Sequence, residues 1–487
     1  MSSFFSCQDD QYSLFQGVGT INCHSSTCGQ FSVCSSLAFK GQPISEIGCC
    51  REGILYPNAV SIIMYILIIP VIGVCSLGAL GGGVFKRPIL EAILNINSST
   101  SGDITACLMF SAQLVNQVII FFQSHPDHPE RPLVNFEIGL VYALGIPISM
   151  QIGMDLANYL PLLPLLTIQM IFFVASCPVL LYFAKSEEIL ENKKDKKIEV
   201  QPTQINTDDF NVETNMNDEQ RISKIFKQFQ EESTSRFPIL PILLAFGNFA
   251  LNESIILLRT TSYQTSPYFY PNDKDFGDQF SACEPWNFYV MLLLFGVNFV
   301  FTLLVFFYMR KQELLKNTVQ FNVNERYFTP RTRFFMIYGA GWATGFIAGF
   351  LGMAAGLTML VTLMEFNLVA AAAGATANYG YFIICLQVFI SFIVKETQDL
   401  TFQIGYQFFF YGIGAIGVLI FTNLGFYMIK KYNIEHIVFY VDFALVLLNM
   451  IGNVAWGIEQ SERFSYHSLV YNPQSCTAQI LSKSSVQ

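Results

Sequence analysis

About ten apolar runs, each long enough to cross a bilayer, divide this 487-residue chain into membrane segments and short polar connections. They lie at 54–80, 103–123, 133–153, 160–184, 237–258, 286–309, 333–352, 370–394, 402–428 and 436–457. As a helix, a run of roughly 20 residues spans the hydrocarbon core. Lipid offers no hydrogen bonds, so such a segment must satisfy its backbone internally. The composition agrees: 52% hydrophobic, 13% charged, 47 Phe. A soluble chain carries roughly a quarter charged residues. The expected fold class is an all-α polytopic membrane protein, with the lipid bilayer as its first partner. No basic cluster with interleaved aromatics points to nucleic acid. The net charge of −9 says little, because charge in such a chain is sorted by side of the membrane.

Two further segments, 84–100 and 353–369, are apolar but broken. The first follows Gly78–Leu90, GALGGGVFKRPIL; a worn copy stands at Gly349–Val361, GFLGMAAGLTMLV. Gly78 matches Gly349, Leu80 matches Leu351 and Gly81 matches Gly352, all at an offset of 271. At the same offset Thr105-Ala106 falls on Thr376-Ala377, and Cys107 falls on Asn378. Phe136-Glu137-Ile138-Gly139 resembles Phe402-Gln403-Ile404-Gly405 at a slightly shorter offset. Broken apolar segments in corresponding positions of two halves are a sequence pointer to a transporter binding site. The expected architecture is therefore two related halves with broken helices, arranged as inverted repeats. About 10 full spans are joined by two half-helix or re-entrant segments.

Basic loops set the expected topology. Lys185, Lys193, Lys194, Lys196 and Lys197 mark the linker as cytoplasmic, and Arg310, Lys311, Lys316, Arg326, Arg331 and Arg333 mark 310–333 likewise. If each broken segment counts as one crossing, both tails and the 259–285 loop face out, and Lys430-Lys431 fall inside. The domains then read as a Cys-rich extracytoplasmic tail (1–52), a first transmembrane repeat (53–184) and a charged cytoplasmic linker (185–235). An inserted helical hairpin with a cytoplasmic loop (236–332), a second repeat (333–457) and a C-terminal tail (458–487) follow.

Cys7, Cys23, Cys28, Cys34, Cys49, Cys50, Cys283 and Cys476 would share the outer side, an even number suited to disulfides in an oxidising compartment. A reduced, metal-binding tail is the alternative. The start, MSSFFSCQDDQYSLF, lacks a basic region before an apolar run, so no cleaved signal peptide is expected.

An anion in a membrane needs donors that are cheap to bury. Freed N–H groups at a half-helix start supply them. Gly81, Gly82 and Gly83 would bare such groups, and Pro88 suits the first turn that follows. Gly352 and Gly356 are the second copy's candidates, with Thr105, Thr376 and Asn378 as side-chain donors. Each has a plain reading too: close helix packing for the glycines, capping or interhelical hydrogen bonding for the rest. Lys86 and Arg87 either attract an anion or anchor the interface. Gly341 and Gly345 read as packing residues. Ser111, Gln113, Asn116 and Gln117 give 103–123 a polar side, and such sides face a bundle interior or a cavity. Glu253, Asp442 and Glu365 are the candidate membrane carboxylates. The two prolines in HPDHPER make His125 and His128 a turn rather than a metal site. No catalytic set converges, so neither an enzyme nor a cofactor is expected.

The pattern GxLGGGxxxxPIL, the small/Thr-rich helix start after it, the charged linker and the second copy resemble the TauE/SafE sulfite-exporter family. The Cys-rich tail ending near CCREGILYP resembles its larger eukaryotic members. The resemblance covers roughly residues 50–184 and 333–457. It implies export of sulfite, sulfonates or related small oxyanions by alternating access. The second copy departs from the pattern, with Met353-Ala354-Ala355 and Met359 in place of a glycine run and a proline. A non-transporting scaffold, receptor or complex subunit built on the same fold is the alternative.

Overall fold

The structure is a computed structural model, and it describes residues 5–6, 12–13, 32–39, 42–51, 59–77, 89–90, 98–125, 131–160, 162–197, 227, 238–263, 285–318, 332–352, 355–366, 368–396, 404–432 and 436–463. The first-break residues Gly81, Gly82, Gly83, Lys86, Arg87 and Pro88 lie outside these, as do Cys7, Cys23, Cys28, Cys283 and Cys476. The helices are α1 (Ala59–Leu77), α2 (Ser98–Phe121), α3 (Phe136–Tyr159), α4 (Leu162–Lys197), α5 (Ile239–Tyr263) and α6 (Pro285–Thr318). Then come α7 (Thr332–Leu351), α8 (Ala355–Glu365), α9 (Ala370–Glu396), α10 (Ile404–Gly417), α11 (Asn423–Tyr432) and α12 (Ile437–Arg463). A π-helical turn, Val418–Thr422, joins α10 to α11. Among the described residues nine apolar stretches are long enough to cross a membrane, and Ile62–Leu77 is a shorter tenth. The all-α expectation therefore holds for the membrane part. The tail differs: β1 (Phe5–Ser6), β2 (Tyr12–Ser13), β3 (Ser32–Phe39) and β4 (Gln42–Arg51) form an antiparallel sheet in the order β1-β3-β4-β2. Its register sets Cys34 opposite Cys49.

Burial sorts the helices into a centre and a rim. Of their apolar spans, 72% is buried in α3 and 67% in α9, against 22% in both α4 and α6. Ile171, Val174, Phe299 and Phe307 on the rim helices are exposed apolar groups that lipid would cover.

Apolar side chains gain nothing by leaving lipid for each other, so central helices need close approach. On α7 a methyl group at Gly341 would overlap the Tyr142 carbonyl, and one at Gly349 the Met150 carbonyl. From α3, a methyl at Gly145 would stand 2.8 Å from the Trp342 nitrogen. The pairing of 142 with 341 and 150 with 349 makes α3 and α7 parallel. The first helix pairs in the same manner with α10. Tyr65 stacks edge-on against Phe409 and Phe410, a methyl at Gly417 would lie 2.5 Å from the Ile69 carbonyl, and Thr422 Oγ1 donates to the Gly73 carbonyl at 3.0 Å.

Directions of the other helices follow from their contacts. Helix α9 runs parallel to α3, with Phe136 against Tyr379 at one end and Gln387 Nε2 on the Pro147 carbonyl further along. It runs antiparallel to α2: Asn116 meets Asn378, Met109 meets Tyr381, and Phe110 stacks on Phe389 at 4.2 Å. So α7 and α9 point the same way, although only α8 lies between them. An 11-residue helix rises about 16 Å, half the hydrocarbon thickness. Gly352 ends α7 at φ +69, its N–H returning to the Ala348 carbonyl at 2.9 Å. Helix α1 points the same way as α2, because Ser76 near its end meets Asn116 near the end of α2.

The hairpin α5–α6 docks on the kinked middle of α3. Pro147 has no N–H, which loosens the helix ladder there. The Leu144 carbonyl accepts from Asn298 Nδ2 on α6 at 2.8 Å and from Asn248 Nδ2 on α5 at 3.4 Å. At one end of the bundle Lys316 Nζ reaches both oxygens of Glu137 at 2.7 Å. That end also carries Arg131, Lys185, Arg310, Lys311, Arg333 and Lys431; Arg259, Lys395 and Arg463 stand at the opposite helix ends.

Alanine at Gly341 or Gly345 should destabilise the protein by about 1–3 kcal/mol through overpacking against α3. Alanine at Gly339, which has open space, should be neutral or slightly stabilising. Thermal unfolding in detergent measures the contrast, and equal shifts at all three positions would contradict the packing account.

Candidate functional site

Helix α2 carries Gln113, Asn116 and Gln117 within one 100° arc, and all three are buried. Asn116 is the junction. Its Nδ2 donates to the Ser76 carbonyl at 3.1 Å and to Asn378 Oδ1 at 3.0 Å, joining α1, α2 and α9. Asn378 Nδ2 in turn donates to the Gly374 carbonyl at 3.0 Å. Beside this junction several polar atoms have no partner: Gln113 Oε1, Asn116 Oδ1 and both Oε1 and Nε2 of Gln117. Tyr379 OH, on the next residue of α9, is likewise unpartnered, while its ring packs on Phe136. Buried polar groups are nearly always satisfied, and an unmet one costs about 1–3 kcal/mol. Gln117, only 3% exposed with two unmet atoms, is the clearest exception here. Among these atoms Gln117 Nε2 and Tyr379 OH are uncharged donors, and the three amide oxygens are acceptors. In a low-dielectric interior such donors hold an anion without the cost of burying a cation.

The residues expected from sequence do not gather at one point. Asn378 belongs to the junction. Thr105 Oγ1 donates to the Ser101 carbonyl at 2.6 Å, and Thr376 Oγ1 to the Ala372 carbonyl at 2.7 Å. Thr376 Oγ1 also accepts from the Asn135 N–H at 3.0 Å, one residue ahead of α3. Both hydroxyls thus spend their donors on the helix turn beneath them. Gly352 is the exposed cap of α7, and Gly356 is buried on α8. Met359 is fully buried, and a methyl at Gly380 on α9 would meet its sulfur at 3.1 Å. The methionine packs between α8 and α9.

Of the three candidate membrane carboxylates, Glu253 and Asp442 are buried and Glu365 is exposed. Glu253 is 3% exposed; its Oε1 accepts from Ser391 Oγ at 3.2 Å and its Oε2 has no partner. Asp442 on α12 is fully buried with both carboxyl oxygens unpartnered, and Cys75 on α1 is its electrostatic neighbour. The spacing 113, 116, 117 marks one helix face and was the signal available for the site itself.

Leucine at Gln117 should raise stability by about 1 kcal/mol, because it removes two unmet polar atoms at little change in volume. Leucine at Asn116 should lower it by about 1–3 kcal/mol, because the Ser76 carbonyl and Asn378 lose their donor. Parallel melting curves decide this, and destabilisation by the Gln117 variant would mean its amide is bonded. Comparison with protein-family models, with characterised proteins and with solved structures returns no match to this chain.

Proposed function

We propose that the chain is a multi-pass transporter that exports a small anion, sulfite or a related oxyanion, by alternating access. The observation that carries this reading is the α2–α9 crossing. There, the buried Gln117 side chain, with neither its Nε2 donor nor its Oε1 acceptor partnered, sits beside the bonded Asn116–Asn378 pair. An interhelical polar pair alone is ordinary membrane glue. Gln117 lies next to that glue, and neither end of its amide bonds to protein.

An inverted-repeat relation between the halves is part of this reading, and helix contacts support it. Met109 and Tyr381, which touch at the crossing, are 272 positions apart, one more than the repeat offset. Each helix therefore meets its own counterpart, antiparallel, as a two-fold axis in the membrane plane requires. The first long helix of each half lies parallel on the third long helix of the other: α1 on α10, α7 on α3. Like direction of α7 and α9, and of α1 and α2, supports counting each broken segment as one crossing, with five per half. The end rich in Arg310, Lys311, Lys316, Arg333 and Lys431 is then cytoplasmic by the positive-inside rule, and the N-terminal tail is extracytoplasmic. The TauE/SafE resemblance supplies the substrate class. The backbone donors expected from sequence at Gly81, Gly82 and Gly83 lie outside the described residues and remain part of the proposal only through the sequence.

One observation favours a non-transporting scaffold instead: Met359 packed over Gly380, which closes the second break with a side chain. Sulfite efflux from proteoliposomes separates the two. The transporter reading expects flux above empty vesicles, reduced at least about tenfold by Gln117→Leu or Gly82→Leu at matched protein. Absence of flux from the wild-type chain across sulfite, sulfonates and related oxyanions would leave the scaffold standing.

A further inference from the structure

We propose a site for a small monovalent cation, with sodium as the probe, at the junction of α3, α5 and α9, formed by Glu253, Asn252 and Gln387. The three side chains are buried at 3%, 0% and 0% exposure. Each leaves one oxygen without a partner: Glu253 Oε2, Asn252 Oδ1 and Gln387 Oε1. Their donor ends are already committed. Asn252 Nδ2 donates to the Asn248 carbonyl at 2.8 Å and to Asn248 Oδ1 at 3.0 Å. Gln387 Nε2 donates to the Pro147 carbonyl at 3.4 Å. Both amides are thus anchored by their nitrogen ends, which leaves the oxygen ends unmet.

The positions adjoin. Asn252 and Glu253 are consecutive on α5. Gln387 stands one turn before Ser391, whose hydroxyl donates to Glu253 Oε1 at 3.2 Å. Asn248 and Gln387 both reach carbonyls of the same kinked turn of α3, at Leu144 and Pro147. Pro147 has no N–H for the Ala143 carbonyl, so one more backbone oxygen in that turn lacks its usual donor. A proton on the carboxyl would supply a single donor and meet one acceptor. A cation meets all of them together, because hard cations take carboxylate, amide and backbone oxygens as ligands. One carboxylate balances one positive charge. Among the described residues no three His, Cys, Asp or Glu side chains gather, so the donor set suits neither zinc nor another nitrogen- or sulfur-seeking metal. The site stands apart from the amides of α2 and does not rest on anion export. It shares α9 with them, so a cation here would act on the helix that bears Asn378.

The test is radioactive sodium binding to the purified full-length protein in detergent, in choline buffer and with no anion gradient. Wild type should bind sodium saturably, and sodium should raise its melting temperature over choline, as a ligand of the folded state does. Glu253→Gln should weaken binding at least about tenfold by removing the charge, and Gln387→Leu should weaken it without changing charge. Lys316→Met, at the far end of the α6 hairpin helix, should bind as wild type. Glu253→Gln retaining wild-type affinity would overturn the proposal, as would saturable binding being absent from wild type. Should Glu253→Gln fail to fold, Gln387→Leu carries the decision. Because binding is read without flux, a failed efflux assay and a failed cation site remain separate results.

Discussion

Inside a bilayer, helices hold together by close approach and by hydrogen bonds, since lipid already satisfies apolar side chains. Helix α3 depends on both, and the other central elements are set against it. Its Tyr142–Met154 edge receives the glycine face of α7, backbone against backbone. On α9, the Tyr379 ring lies so near Gly139 that a methyl there would stand 2.9 Å from it. At the Pro147 kink its carbonyls at Leu144 and Pro147 are taken by amides from α5, α6 and α9. A proline that breaks a ladder would be costly in lipid. Here amides from three neighbouring helices bond two carbonyls of the proline-containing turn, which becomes the point where the inserted hairpin is fixed. Tyr338 OH on α7 extends this network to Asn298 Oδ1 at 3.1 Å.

Much of this was written locally in the chain. Nine of the expected spans reappear as long apolar helices, because length and apolar content alone determine them. Gly341 and Gly345 read as a packing stripe from their spacing, and they are one. The polar face of α2 was legible in the same manner. Pairings between halves were not. Nothing in the letters of Asn116 and Asn378 says that an amide 262 positions away will accept its hydrogen. Thr105 and Thr376 stand at matching places in the two copies, yet what their hydroxyls do is set by whether the i−4 carbonyl is within reach. In both it is, at 2.6 and 2.7 Å. The expected unbroken run 402–428 holds a π-helical turn, Val418–Thr422, whose last residue donates to the Gly73 carbonyl across the interface, a pairing that local sequence does not show.

The buried polar residues divide into two kinds. Ser149, Asn298, Thr105 and Thr376 bond to backbone carbonyls and serve as fasteners. Gln117, Glu253 and Asp442 keep atoms unmet at positions where leucine would pack at no polar cost. Chance does not readily keep such groups in a membrane core, since each unmet atom costs about 1–3 kcal/mol. They also lie on different helices, α2, α5 and α12, with separate neighbours. One structural need, such as fixing a single register, would not call for all three.

The two breaks meet these demands unequally. Helix α8 is tied to its surroundings in two ways. Tyr142 OH bonds Thr344 Oγ1 on α7 at 2.5 Å and also Thr362 on α8, a directional polar tie to α3 and α7. Toward α9 the contact is Met359 over Gly380, with Ile146 alongside. Methionine is unbranched and adapts to a shifting surface, whereas a hydroxyl pair holds one geometry. The left-handed Gly352 marks where α7 ends and the break begins. From there the chain is held to α3 and α7 by hydroxyls of fixed geometry and to α9 by an adaptable thioether, so the α8–α9 contact is the less directional of the two.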